Sequence, residues 1–280
     1  MIGVFDSGFG GLTVLRALTE RFPRERFVYL GDHARVPYGN RDAATILALT
    51  QAGVTQLFAS GCRLVILGCN TATAVAARHL QQAWLPQAEW ADQGHNVLGI
   101  IAPTVEAATQ TPWAVTEPQY PQKYNADHIT VFGTARTVAS GVYPEEINKR
   151  CPNVTVSMVT CAELAGAIEA RAGADEIEAL VSAACRDVEA DRAILGCTHF
   201  PLVEHVFRAH LPSRTRILSQ PEIIAQSLED YLARRPEYRS DAASGALQLL
   251  TTGDCVAVTE QAQVFWDAAP AFETADMPAP

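Results

Sequence analysis

Leu64-Val65-Ile66-Leu67-Gly68-Cys69-Asn70-Thr71 has a counterpart later in the chain, Arg192-Ala193-Ile194-Leu195-Gly196-Cys197-Thr198-His199, with the two cysteines 128 positions apart. Each runs from a short apolar stretch through a glycine into a cysteine and a residue that can open a helix. Val4-Phe5-Asp6-Ser7 aligns in the same way with Val131-Phe132-Gly133-Thr134, at an offset of 127. Two strand-to-turn matches at nearly one offset indicate a duplicated half, in which equivalent strands end in equivalent polar turns. Ligands of open α/β sheets bind beyond the C-terminal strand ends, so two facing halves place Cys69 and Cys197 across one cleft.

Working outward, short apolar runs fall at 2–5, 27–30, 64–67, 97–101, 129–132, 154–159, 193–195, 215–218 and 247–251. Amphipathic segments alternate with them near 11–21, 42–60, 72–83, 137–148, 174–189, 202–210, 222–234 and 258–267. That alternation predicts an α/β fold, doubly wound, with mainly parallel sheets covered by helices on both faces. The stretches 84–95, 109–128 and the Ala/Pro-rich end from Ala268 break the pattern and read as loop, insertion and frayed tail. Within the insertion, Trp113, Tyr120 and Tyr124 are candidates for a lid or subunit contact, against a packed surface loop as the plainer reading.

The chain has 280 residues, 48% hydrophobic and 19% charged, with 18 Gly and 16 Pro. This composition excludes a disordered, collagenous or coiled-coil protein. A formal charge of −10 with scattered acidic residues gives no electrostatic case for a nucleic-acid or anionic-membrane partner. The first residues, Met1-Ile2-Gly3-Val4-Phe5-Asp6, lack a basic leader, and no apolar run approaches the ~18 residues a span needs, so a cytoplasmic protein is expected. The seven cysteines form no C-x-x-C pair and are read as reduced thiols.

Cys62, Cys151, Cys161, Cys185 and Cys255 are read as small core residues. Cys69 and Cys197 stand at strand-to-helix turns, where helix N-terminal amides favour a thiolate. Inverting a carbon centre requires a base on one face and an acid on the other, with roles exchanged in reverse. Two thiols supply that symmetry when one is ionised and the other stays protonated. Asp6 and His199 are the candidate proton-relay partners, with helix capping the alternative for Asp6. Gly8-Phe9-Gly10-Gly11 resembles a dinucleotide loop, but Thr13 stands where its last glycine belongs, so no nicotinamide or flavin cofactor is expected. The glycines instead suit close approach to a small carboxylate, with Ser7, Thr71, Thr134, Thr137 and Thr198 as donors or, singly, as helix caps. Pro37-Tyr38-Gly39 is a turn presenting a phenol and a free amide. No serine-hydrolase elbow, P-loop or zincin motif occurs, and Val75 stands where a cysteine phosphatase requires arginine.

The blocks Asp6-Ser7-Gly8-Phe9-Gly10-Gly11-Leu12-Thr13-Val14-Leu15, Gly31-Asp32 with Pro37-Tyr38-Gly39, Gly68-Cys69-Asn70-Thr71-Ala72, Gly133-Thr134-Ala135-Arg136-Thr137 with Ser140 and Tyr143, Gly196-Cys197-Thr198-His199-Phe200-Pro201, and Thr252-Gly253-Asp254 occur in this order. In them the chain resembles the glutamate racemases of the aspartate/glutamate racemase superfamily, from about residue 2 to about residue 267. The resemblance implies a cofactor-independent enzyme that interconverts L- and D-glutamate, an isomerase supplying D-glutamate to peptidoglycan and the cell wall. It implies two pseudo-symmetric α/β domains, 1–97 plus 209–280 and 98–208, with the site in the cleft between them. It puts the catalytic bases on Cys69, acting on D-glutamate, and Cys197, acting on L-glutamate, with Asp6 and His199 assisting. Substrate-binding positions are then Ser7, Tyr38, Gly39, Asn70, Thr71, Thr134, Thr137 and Thr198, with Asp32 and Glu169 as secondary acidic positions. Ala162 and Gly166 stand where prolines are usual, and Ser219-Gln220-Pro221-Glu222 departs from the family's acidic turn. A homodimer is implied, and some family members also bind and inhibit DNA gyrase.

Three readings compete. A sister enzyme acting on aspartate, hydantoins or maleate differs by little, since one methylene is worth about 1–3 kcal/mol. Cys69, Cys197 and His199 as a Cys2His zinc site would make a hydrolase or lyase instead; with acid/base thiols, no metal is expected. A regulatory binding protein, as for gyrase, would not require both cysteines and their polar neighbours.

Overall fold

The computed structural model describes residues 1–120, 128–240, 244–275 and 277, so Tyr124 lies outside the described residues. The apolar runs form strands β1 (Ile2–Asp6), β2 (Arg26–Gly31), β3 (Leu64–Leu67), β4 (Asn96–Gly99), β5 (His128–Gly133), β6 (Thr155–Thr160), β7 (Arg192–Gly196), β8 (Arg216–Leu218) and β9 (Ala246–Thr251), and β10 (Phe272–Thr274) is added beyond them. They assemble into a six-stranded sheet, order β10-β9-β2-β1-β3-β4, and a four-stranded sheet, order β6-β5-β7-β8. Every pairing is parallel. Strands buried on both faces require apolar residues at successive positions, and β1, β3 and β7 are buried throughout.

The order β2-β1-β3-β4 in one sheet recurs as β6-β5-β7-β8 in the other. The register agrees, with Ile2 opposite Leu64 in the first sheet and Ile129 opposite Arg192 in the second. The internal offsets in the sequence therefore correspond to a repeated four-stranded unit, and β8 is the counterpart of β4. Leu218 of β8 pairs with Ile194 of β7, so the chain leaves the second sheet after Leu218. The end of the chain is corrected, because Phe272–Thr274 of the supposed frayed tail pairs with β9 and buries Phe272.

The helices are α1 (Gly11–Arg21), α2 (Ala43–Ala59), α3 (Asn70–His79), α4 (Ile101–Thr109), α5 (Ala135–Ala139), α6 (Val142–Arg150), α7 (Leu164–Glu169), α8 (Ala174–Cys185), α9 (Glu204–His210), α10 (Gln220–Arg234) and α11 (Cys255–Ala262). Capping residues set several starts: Asp42, Thr134 and Asp254 each accept from a backbone N–H three residues on. The helix expected over 137–148 is two, α5 and α6, because Gly141 adopts a left-handed φ of 66° between them. Alternate residues of β1 and β3 face opposite layers. Val4 and Ile66 join a core shared with helices of the second lobe, whereas Phe5, Val65 and Leu67 pack with α2 and α3. Each such side chain contributes about 1.5–3 kcal/mol of burial, which fixes the strand ends that carry the polar turns.

Candidate active site

The turns after β1, β3, β5 and β7 meet at a cavity of about 280 Å³. Asp6, Ser7, Tyr38, Gly39, Cys69, Asn70 and Thr71 line it from the first lobe, and Thr134, Glu169, Cys197, Thr198 and His199 from the second. Two sequence candidates stand behind the wall. The Thr137 hydroxyl lies 3.4 Å from that of Thr71 and 3.1 Å from that of Thr134. The fully buried Asp32 accepts from the Tyr38 hydroxyl at 2.7 Å and from Arg35 and Thr252 at 2.8 Å each. Asp32 therefore anchors the Tyr38–Gly39 turn to the first sheet rather than entering the cavity.

Cys69 caps α3. Its buried sulfur shares a hydrogen bond with Ser7 Oγ at 3.2 Å and accepts from Ala72 N–H at 3.4 Å. Burial and the neighbouring Asp6 carboxylate push its pKa up to about 12, against the pull of those two hydrogen bonds. Asp6 Oδ2 accepts from Gly11 N–H at 2.9 Å, Gly8 N–H at 3.3 Å and the Tyr29 hydroxyl at 3.0 Å. Burial raises the Asp6 pKa, and those donors together with His199 oppose the rise. Asp6 thus accepts from the first backbone N–H of α1 and lines the cleft.

Cys197 has different company. Its sulfur lies 3.6 Å from His199 Nδ1, and His199 Nε2 lies 2.6 Å from Glu169 Oε1. Burial disfavours the charged ring, but Cys197 and Glu169 outweigh it and raise the His199 pKa to about 10. The turn sits tight against α1: a Cβ at Gly10 would collide with the Thr198 hydroxyl and the His199 ring. Thr13 Oγ1 lies 2.9 Å from the Thr198 carbonyl. The missing third glycine of the dinucleotide pattern is therefore a link between lobes.

The Glu169–His199 pair, the walls supplied by Ala162, Glu163, Ala165 and Gly166, and the Asn70–Gln220 contact were not assigned these roles from sequence. Their signal is tertiary, apart from the Glu169 carry-over. Among the described residues no group of three His, Cys, Asp or Glu side chains is placed to hold a metal ion, so the Cys2His zinc arrangement finds no geometric support.

Residues 3–228 match the Asp/Glu/Hydantoin racemase family. The chain belongs to that family. Among its relatives is a glutamate racemase from Phenylobacterium zucineum, strain HLK1, 45% identical over 282 residues, covering 98% of this chain and 99% of the relative. Another from Caulobacter sp., strain K31, is also 45% identical with the same coverage. The crystal structure of glutamate racemase isoform RacE1 from Bacillus anthracis superposes with a TM-score of 0.86 at 26% identity, covering 100% of this chain and 98% of that one. A Thermus thermophilus glutamate racemase in complex with β-chloro-D-alanine gives 0.82 at 27%, covering 99% and 96%.

Proposed function

We propose that the cleft interconverts L- and D-glutamate by two thiols acting from opposite faces of the α-carbon, without a cofactor. The observation that carries the reading is the arrival of Cys69 and Cys197 at one cavity from matching strand ends of the repeated sheet unit. Cys197, as thiolate, takes the α-proton of L-glutamate, and the Cys69 thiol delivers its own proton to the other face. For D-glutamate the roles exchange. His199 with a pKa near 10 is protonated at neutral pH and offsets a negative Cys197. Cys69, held up near 12, starts as the thiol.

In this reading Asp6 and His199 assist the two thiols, and the hydroxyls of Ser7, Thr71, Thr134 and Thr198 with the Tyr38–Gly39 turn receive the carboxylates, while Asn70 lines the same wall. Thr137 and Asp32 act by fixing Thr71, Thr134 and Tyr38. In this reading the two lobes are pseudo-symmetric domains with the site in the cleft between them, and the chain serves peptidoglycan synthesis in the cytoplasm as a homodimer. No helix among the described residues is long and apolar enough to cross a membrane, in keeping with that placement.

Chiral analysis of L-glutamate and L-aspartate incubated with chelator-treated, reduced protein tests the reading. Formation of D-glutamate with little D-aspartate is expected. Comparable or faster turnover of aspartate would move the assignment to a sister enzyme.

A further inference from the structure

Gln220 is fully buried at the first position of α10, where the chain re-enters the first lobe after β8. Its side-chain amide pairs with that of Asn70: Asn70 Nδ2 donates to Gln220 Oε1 at 2.6 Å, and Gln220 Nε2 lies 3.2 Å from Asn70 Oδ1. Gln220 Nε2 also donates to Thr104 Oγ1 at 2.9 Å. The Tyr143 hydroxyl donates to Asn70 Oδ1 at 2.8 Å. All four side chains are buried, and none of their polar atoms is left without a partner.

The cluster joins the two segments through which the chain crosses between sheets, Thr104 on α4 and Gln220 on α10, to Tyr143 of the second lobe. At its centre is Asn70, the residue after Cys69. A buried polar network with every member satisfied holds one geometry, because losing any partner strands a desolvated group. The turn of Cys197 is held differently: Thr13 bonds the Thr198 carbonyl, and the Cys197 sulfur lies against His199.

We infer that Gln220 is a positioning residue for Cys69, fixing through Asn70 the angle at which that sulfur meets the α-carbon. The inference rests on the two-thiol reading and adds to it a residue that touches no reacting atom. Altering Gln220 slows proton transfer at Cys69 and leaves transfer at Cys197 intact. L- and D-glutamate have equal free energies, so kcat/KM is the same in both directions, and the asymmetry has to be read from isotope effects.

The test measures primary deuterium effects on kcat/KM with D- and L-[2-²H]glutamate for the unaltered chain and for Gln220→Glu, which keeps the shape and loses the donor. A fall in kcat of about 10- to 100-fold is expected from a displaced base. The isotope effect should rise for D-glutamate, whose deuterium Cys69 removes, and fall toward unity for L-glutamate. Effects that stay equal to those of the unaltered chain, or shift together for both enantiomers, overturn the inference. If Gln220→Glu does not fold, Tyr143→Phe removes the bonds to Asn70 and from Gln220 and Thr104→Val removes the one from Gln220; both should show the same opposed shifts, smaller, and their absence overturns it equally. The two-thiol reading is judged separately, by Cys69→Ser: near-normal turnover there removes that reading itself, whereas an inactive Cys69→Ser beside symmetric Gln220→Glu effects removes only the role of Gln220.

Discussion

Cys69 and Cys197 end matching strands of a repeated unit, yet their surroundings are opposite in charge. The Cys69 sulfur has a hydroxyl, a helix amide and, nearby, the Asp6 carboxylate, and its pKa rises to about 12. The Cys197 sulfur has His199, itself gripped by Glu169 and raised to about 10. One leads into the regular α3, the other into a short 3-10 turn, Phe200–Val203. The repeated unit sets the placement of the two sulfurs, and the neighbours at the two places differ. A pair of thiols in identical surroundings would repel as two thiolates or idle as two thiols; the proposed mechanism uses the inequality of the two surroundings.

The strongest way to break the comparison is to remove either sulfur. Cys69→Ser and Cys197→Ser should each lower kcat by about 10²- to 10⁴-fold with the melting temperature nearly unchanged. Near-normal turnover in either variant would take that cysteine out of the reaction.

Next is the charge beside Cys197. Glu169→Gln removes a carboxylate that raises His199, and a kcat loss of about 10- to 100-fold is expected. Activity that depends on the protonated ring is lost as pH rises through about 10 in the unaltered chain, and the loss should move to lower pH in the variant. Stability has the same sign: His199 is raised above its ordinary value of 6.5, so its contribution is fully present below that value and disappears as pH climbs to about 10. Melting curves of the two proteins should converge at the alkaline end of that window. An unmoved alkaline limb would detach Glu169 from His199 function.

Gly10→Ala sharpens the comparison sterically, since the added methyl strikes the Thr198–His199 turn and leaves the Cys69 turn alone. A destabilisation of about 1–3 kcal/mol is expected, with kcat reduced more than the fold is. The smallest effect is expected at Cys255, which is partly exposed, shares a hydrogen bond with Thr274 and does not line the cavity. Cys255→Ser should leave racemisation unchanged, and a loss would show that thiols outside the pair matter.

The repeated turns were legible because they are local: a buried strand, a glycine and a cap leave a pattern in consecutive residues. So were the strands from Ile2 to Thr251, whose apolar runs are continuous. Helix α4 was missed because Ile100 and Ile101 extend the apolar run of β4 and Pro103 interrupts the helical pattern, although proline is tolerated in a first turn. Strand β10 was hidden in an Ala/Pro-rich stretch, where only pairing with β9 reveals it. Within the site, Cys69, Cys197, Asp6 and His199 could be picked out from their turns. What Glu169 and Gln220 touch could not, because their partners lie 30 and 150 residues away and only tertiary packing joins them. Which sheet β8 joins is likewise hidden in the sequence, because the strand is three residues long and only its pairing with β7 shows it.

The most direct test of two thiols working from opposite faces is the position of deuterium at early times in D2O, read by proton NMR and chiral separation from each enantiomer in turn. Newly formed product should carry deuterium at the α-carbon while the recovered substrate keeps its proton, because the group that removes the proton is not the group that replaces it. Deuterium appearing in recovered substrate as fast as in product, or product retaining the substrate's own proton, would point to a single base and contradict the assignment of Cys69 and Cys197 as a pair.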